Sequence, residues 1–258
     1  MEIIMIFDSH AHYNDRQFDE DRDILISQMP QNNVGYIMNA CSELSEMKDI
    51  TELVNKFPFV YGSVGIHPGC AVRPDAETEK LIRQYAAMTK INAIGEIGLD
   101  YYYDDVPRDI QKECFDFQIK LAMEMDMPII VHDREAHGDS MDMMRANKGV
   151  KGVFHCYSGS KEMAKELVDM GLYIAFGGSL TFKNNVKTVE AAKFVPLENI
   201  LVETDCPYLA PVPNRGKRNS SLNVHYVIEK IAEIKGIDAK LVEEQTCLNA
   251  KKLFNIGD

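Results

Sequence analysis

The sequence predicts a single-domain α/β protein, a (β/α)8 TIM barrel over residues 1–258, on three observations. Short apolar runs recur at intervals of roughly thirty residues, the repeat of strand-helix units. Most are followed by a stretch with the periodicity of an amphipathic helix. Imidazoles and carboxylates collect at the carboxyl ends of the runs, the end at which such barrels build their active sites.

In chain order the runs are IIMIFDSH from Ile3, VGYIMNAC from Val34, FVYGSVGIH from Phe59 and INAIGEIG from Ile91. MPIIVH from Met127, KGVFHCY from Lys151, LYIAFGG from Leu172 and NILVETD from Asn199 complete the set. Each is rich in β-branched or aromatic residues and has the length of a buried strand. Between them, IQKECFDFQIKLAMEM from Ile110 repeats Cys114, Phe117 and Leu121 at helical spacing. KEMAKELVDMG from Lys161 ends at Gly171, a preferred helix stop. VHYVIEKIAEIKG and LVEEQTCLNAKKLF are expected to close the barrel and pack over its outside. A doubly wound open sheet is the alternative, but no GxGxxG follows the first run, which weakens its dinucleotide-binding form. No Pro/Ser-rich linker divides the chain.

Composition narrows the function. A chain of 258 residues with 45% hydrophobic and 26% charged residues is an ordinary globular protein, which excludes disorder and collagen-like structure. Twenty-eight Lys and Arg against 40 Asp and Glu give a net charge of −12. That balance speaks against non-specific coating of nucleic acid, yet carboxylate clusters are what hard cations want. The six cysteines form no CxxC pair and read as free thiols of a reducing compartment. MEIIMIF is too short for a signal peptide, and no run approaches a membrane span. A cytoplasmic protein without membrane partners is expected, with a monomer the favoured state.

The strand ends carry the chemistry. Asp8, His10 and His12 end the first run, His67 the third, Glu96 falls in the fourth, and His132 ends the fifth. His155 falls in the sixth, Glu203 and Asp205 in the eighth. His10 and His12 are two residues apart, so on an extended strand both project to the same side, suiting two imidazoles on one ion. Imidazole and carboxylate without thiolate suit zinc, manganese, iron, nickel or magnesium. Glu96 is the natural bridge between two ions, and Asp205 could bind an ion and take the proton of an attacking water. Cys156 and Cys206 adjoin proposed ligands but should face away from them, as packing residues.

Beyond the ligands, PNRGKRN brings Arg215, Lys217 and Arg218 to the loop after the last strand, where barrels often bind phosphate. GGSLTF from Gly177 could add backbone donors for an anion. Tyr101, Tyr102 and Tyr103 either stack on bases or pack their loop. His137 and Tyr157 read as supporting or loop residues, and His225 as surface.

Seven blocks in order, FDSHAH, VGIHPG, GEIGLDYYYD, PIIVHDREAH, FHCYSGS, FGGSLTFKN and ETDCPYLAPVPNRGKRN, resemble the TatD family of metal-dependent deoxyribonucleases, within the amidohydrolase-like barrels. The resemblance runs the length of the chain. It implies two divalent ions (magnesium, manganese or zinc), one on His10, His12, Glu96 and Asp205, the second on Glu96, His132 and His155. It further implies that His67 touches the scissile phosphate and that Glu203 helps positioning. The expected activity is hydrolysis of DNA phosphodiester bonds from single-stranded 3′ ends, with Arg215 or Arg218 steadying the phosphate. The same ligands could instead serve amide, lactone or aminoacyl-tRNA ester hydrolysis, or a metal-binding barrel without turnover. Asn214, where the family often has His, and Ser220 and Ser221, where it often has Glu-Pro, depart from the pattern at positions expected to affect substrate contact.

Overall fold

The computed structural model describes residues 5–257, so Ile3 and Ile4 of the first run lie outside the described residues. Eight strands form one sheet, β1 (Ile6–Ala11), β2 (Val34–Asn39), β3 (Val60–Val64), β4 (Ile91–Asp100), β5 (Ile129–Arg134), β6 (Gly152–Phe154), β7 (Tyr173–Phe176) and β8 (Ile200–Val202). Their spatial order is their chain order and every pairing is parallel. A doubly wound sheet would reverse order at a switch point, so the open-sheet alternative is excluded. The first and last strands approach closely, and a parallel bridge between Ala11 and Cys206, beyond the end of β8, nearly closes the barrel.

Helices fill the crossovers: α1 (Arg22–Ser27), α2 (Met47–Lys56), α3 (Ala76–Ala86), α4 (Arg108–Glu124), α5 (His137–Ala146), α6 (Lys161–Asp169) and α7 (Val186–Phe194), with α8 (Val224–Lys235) and α9 (Ala239–Leu253) after β8. Their ends are set by local chemistry. The Asp75 carboxylate accepts the Thr78 N–H to start α3, the Ser160 hydroxyl accepts that of Met163 to start α6, and Gly236 stops α8 in the left-handed region at φ 66°.

Two apolar layers result. The larger lies between the strands and the surrounding helices. The smaller fills the barrel with Phe7, Met38, Ala93, Ile130, Val153, Ala175 and Leu201. Phe254, just after α9, packs against Phe7 with ring centroids 5.8 Å apart, and its carbonyl accepts the Asn92 side-chain amide. The C-terminal segment therefore plugs the barrel from below as well as packing outside it. The other end is left open to polar residues.

α4 links the fold to that open end through two buried glutamines. Gln118 accepts the Ile66 N–H at 2.8 Å and donates to the Ile66 carbonyl, holding the segment before His67. Gln111 does the same for Asp100, at 2.9 Å each way. Phe115 rather than Phe117 is the fully buried ring of this helix.

Candidate active site

The open end of the barrel is a cleft of about 770 Å³. His10 lies on β1 and His12 one residue past its end, on the same side. Asp205 meets them across the β1–β8 seam, where its N–H donates to the His10 carbonyl at 2.9 Å and the His12 N–H donates to the Cys206 carbonyl at 2.8 Å. Asp205 is left-handed, at φ 56°, a conformation unusual for a residue with a Cβ that these two bonds hold in place.

Glu96 stands at the centre. The pairing of β4 with β5 is irregular between Ile94 and Ile97, and there the strand turns this carboxylate inward. Its Oε1 lies 2.7 Å from His132 Nδ1, 2.8 Å from His155 Nε2 and 3.7 Å from His67 Nε2. Its Oε2 lies 3.3 Å from His10 Nε2 and 3.5 Å from His12 Nε2. Asp205 Oδ1 is 3.8 and 3.5 Å from the same two nitrogens. One buried carboxylate thus faces imidazoles on both sides.

Burial alone would raise the pKa of Glu96, but the imidazoles of His155, His67 and His10 hold it well below the usual carboxylate range. Asp205 is likewise lowered, burial being outweighed by its contact with His12 and by the neighbouring histidines. Both are ionised at neutral pH. His67 is pushed down to about 4, chiefly by burial, so its ring is neutral there.

The hydrogen bonds around the rings fit divalent cations. His12 Nδ1 lies 3.2 Å from the Ala40 carbonyl, which can only accept, so the proton sits on Nδ1 and the Nε2 lone pair faces the cleft. His132 Nε2 lies 3.1 Å from Asp100 Oδ2, leaving Nδ1 toward Glu96. The Nε2 atoms of His10 and His12 approach to 3.0 Å beside two carboxylates, a convergence that suits ligands of one ion. Among the described residues, four buried or half-buried triads have donor atoms close enough for an ion, His10–His12–Glu96 and Glu96–His132–His155 being two of them.

Other expected residues stand apart from the centre. Glu203 lies beneath it, fully buried, accepting the Cys156 N–H at 2.7 Å with Oε1 3.6 Å from His155 Nδ1. Arg218 donates two hydrogen bonds to Asp21, at 2.9 and 2.6 Å, and one to the Gln17 carbonyl. Arg215 lies over the Phe182 ring, 4.3 Å from its centroid. Neither arginine lines the cleft. In GGSLTF the Leu180 and Phe182 amides already bond to Gly177 and Ser179, and a Cβ on Gly178 would meet the Leu209 carbonyl at 2.0 Å. That glycine is required for close approach of two loops.

Cys206 is buried as expected, whereas Cys156 lines the cleft. Burial, then Asp205, Glu203 and Glu96, push the Cys156 thiol far up, so in the metal-free protein it stays protonated. His137 pairs with Asp133 at 2.7 Å, and the buried Tyr157 donates to the Ser160 carbonyl. His225 is exposed at the start of α8. Ser221 is buried and donates to Asp8 at 2.6 Å, while Asn214 bonds to Asn223. The Ser221 departure therefore belongs to the support of β1 and not to substrate contact.

Sequence reasoning missed Asp100, the residue that orients His132. It ends β4, two residues beyond the fourth candidate run, and lines the cleft. A carboxylate at a strand end was its available signal.

The family model described as TatD related DNase matches residues 7–255. An uncharacterized metal-dependent hydrolase of Bacillus subtilis (strain 168), YabD, is 41% identical over 255 residues, covering 98% of this chain and 100% of that protein. A 3′-5′ ssDNA/RNA exonuclease TatD of Citrobacter koseri is 29% identical over 259 residues, covering 98% and 100%. Among solved structures, the TatD homologue YJJV of Escherichia coli K12 superposes with a TM-score of 0.92 at 27% identity, covering 99% of this chain and 100% of that one.

Proposed function

The chain belongs to the TatD-related DNase family and is a metal-dependent hydrolase, and from that premise we propose that it cleaves phosphodiester bonds of DNA, removing nucleotides from a single-stranded 3′ end. The carrying observation is Glu96, whose two oxygens face His10 and His12 on one side and His132 and His155 on the other. A shared carboxylate between two imidazole groups is the arrangement a two-ion phosphodiesterase needs. The exonuclease mode draws its support from the Citrobacter relative.

His10, His12, Glu96 and Asp205 would hold one ion, and Glu96, His132 and His155 the other, with magnesium, manganese or zinc as candidates. Bound ions would supply Lewis-acid polarisation of the phosphoryl oxygens and a more acidic attacking water. Asp205, ionised and at the cleft, accepts that water's proton on its carboxylate. His67 accepts the Gly69 N–H on Nδ1 at 3.0 Å, which puts its own proton on Nε2, toward Glu96 and the cleft. From there it donates to a non-bridging phosphate oxygen as charge builds. Glu203 positions His155 from below.

The test is to strip the protein of metal, add end-labelled single-stranded DNA, and return magnesium, manganese or zinc in turn, with Asp205→Asn alongside. Stepwise shortening from the 3′ end, lost in the variant, is expected. Metal-loaded protein that leaves DNA intact with every ion would overturn the reading.

A further inference from the structure

Arg134 ends β5 two residues beyond His132, so both side chains leave the strand on the same side, His132 toward Glu96 and Arg134 nearer the mouth. Among the described residues lining the cleft it is the only lysine or arginine. Asp15, Glu46, Asp105 and Asp133 line the same opening, so any polyanion entering would meet a single permanent cation. Its guanidinium is committed to aromatic rings, 3.9 Å from the Tyr102 centroid and 5.1 Å from that of Tyr103. Stacking leaves its in-plane N–H groups available for a phosphate.

The two tyrosines do not behave as loop packing. Tyr101 fills that role, its hydroxyl on Asp139 at 2.6 Å and Arg108 over its ring. Tyr102 and Tyr103 are 59% and 53% exposed and meet edge to face at 4.9 Å. Asp100 ties them to the centre, because Oδ1 accepts the Tyr102 N–H at 2.9 Å while Oδ2 faces His132. One carboxylate thereby fixes the aromatic pair relative to the catalytic carboxylate and imidazoles.

The geometry points to a nucleotide subsite built from Arg134, Tyr102 and Tyr103, which holds the phosphate and stacks the base next to the bond being cut. It rests on the phosphodiesterase reading above and deepens it. Arg134 takes the neighbouring phosphate through its free N–H edge, and Tyr103 offers a ring face to the base. Paired bases within a duplex have their faces covered by their neighbours. The subsite therefore selects an unpaired strand, and it is indifferent to base identity because every base has a stacking face.

The test measures fluorescence anisotropy of a short labelled oligothymidylate, blocked by phosphorothioate linkages, on metal-loaded full-length protein. Arg134→Ala and Tyr103→Ala should each weaken binding about tenfold or more, and Arg134→Lys should recover only part. Arg145→Ala removes an equal charge from the far end of α5 and should bind as wild type. Abasic nucleotides near the 3′ end should weaken binding to wild type but add nothing to the loss in Tyr103→Ala. Normal binding by Arg134→Ala and Tyr103→Ala, or no abasic penalty in wild type, overturns the subsite. Protein that discriminates these strands yet cleaves no DNA would sink the nuclease reading and leave the subsite standing.

Discussion

The Asp8 carboxylate accepts the Ser221 hydroxyl at 2.6 Å, joining residues 213 positions apart behind the catalytic centre. Thr204 adds its N–H at 2.9 Å and its hydroxyl at 2.6 Å to the same carboxylate. Ser221 Oγ in turn accepts the Tyr13 hydroxyl. Asp8 is fully buried, and its neighbours on β1 and after β8 carry His10 and Asp205. This polar cluster holds the two sides of the seam in register.

Burial lifts the Asp8 pKa to about 7, against the lowering effect of the Ser221 and Thr204 hydrogen bonds. The folded state then keeps a proton that the unfolded chain has released, so the contribution of Asp8 to stability falls as pH rises from about 4 toward 7. The slope from this residue is at most about 1.4 kcal/mol per pH unit. Urea unfolding of metal-free wild type and Asp8→Asn across this range should show wild-type stability falling relative to the variant as pH rises. Parallel curves would refute it.

Asp100→Asn leaves the ligands in place but weakens the orientation of His132. A loss of about 10–100-fold in metal affinity or activity is expected, as for other outer partners of ligating histidines. Metal analysis after dialysis against graded chelator, together with turnover, measures it.

If His67 serves the phosphate as proposed and not an ion, His67→Ala should lower kcat by about 10²–10³ while leaving bound metal unchanged. Parallel loss of metal would show that His67 is a ligand instead.

Thiol chemistry should be confined to one residue. Cys41, Cys114, Cys206 and Cys247 are buried, and burial pushes Cys41 and Cys206 up to about 12. Cys70 is exposed. A disulfide reagent should titrate one thiol rapidly in the native protein, none in Cys70→Ser, and all six of wild type after denaturation.

The barrel was readable because parallel strands buried on both faces appear as apolar runs, and their polar endings show where the layer meets the cleft. Asp100 escaped because Gly98 looks like the end of the fourth run. Its φ is 146° and a Cβ there would lie 1.9 Å from the His132 carbonyl. The glycine permits close passage of two strands, and β4 continues past it. The pairing of Arg218 was hidden for a different reason. Sequence displays its charge but not Asp21, a partner 197 residues away. Arg134 was hidden among charges in HDREAH, and only the fold reveals that it is the cation lining an acidic mouth.

The seam between β1 and β8 also bears on how the protein comes into being. Synthesis delivers His10 and His12 early and Asp205 near the end, and the bridge from Ala11 to Cys206 cannot form until both edges exist. A nascent chain thus carries His10, His12, Glu96, His132 and His155 but lacks Asp205, the last proposed ligand, until the final strand emerges from the ribosome. On the proposed reading activity would arrive together with closure, because a chain whose synthesis stops before the last strand lacks the carboxylate that completes the ligand set.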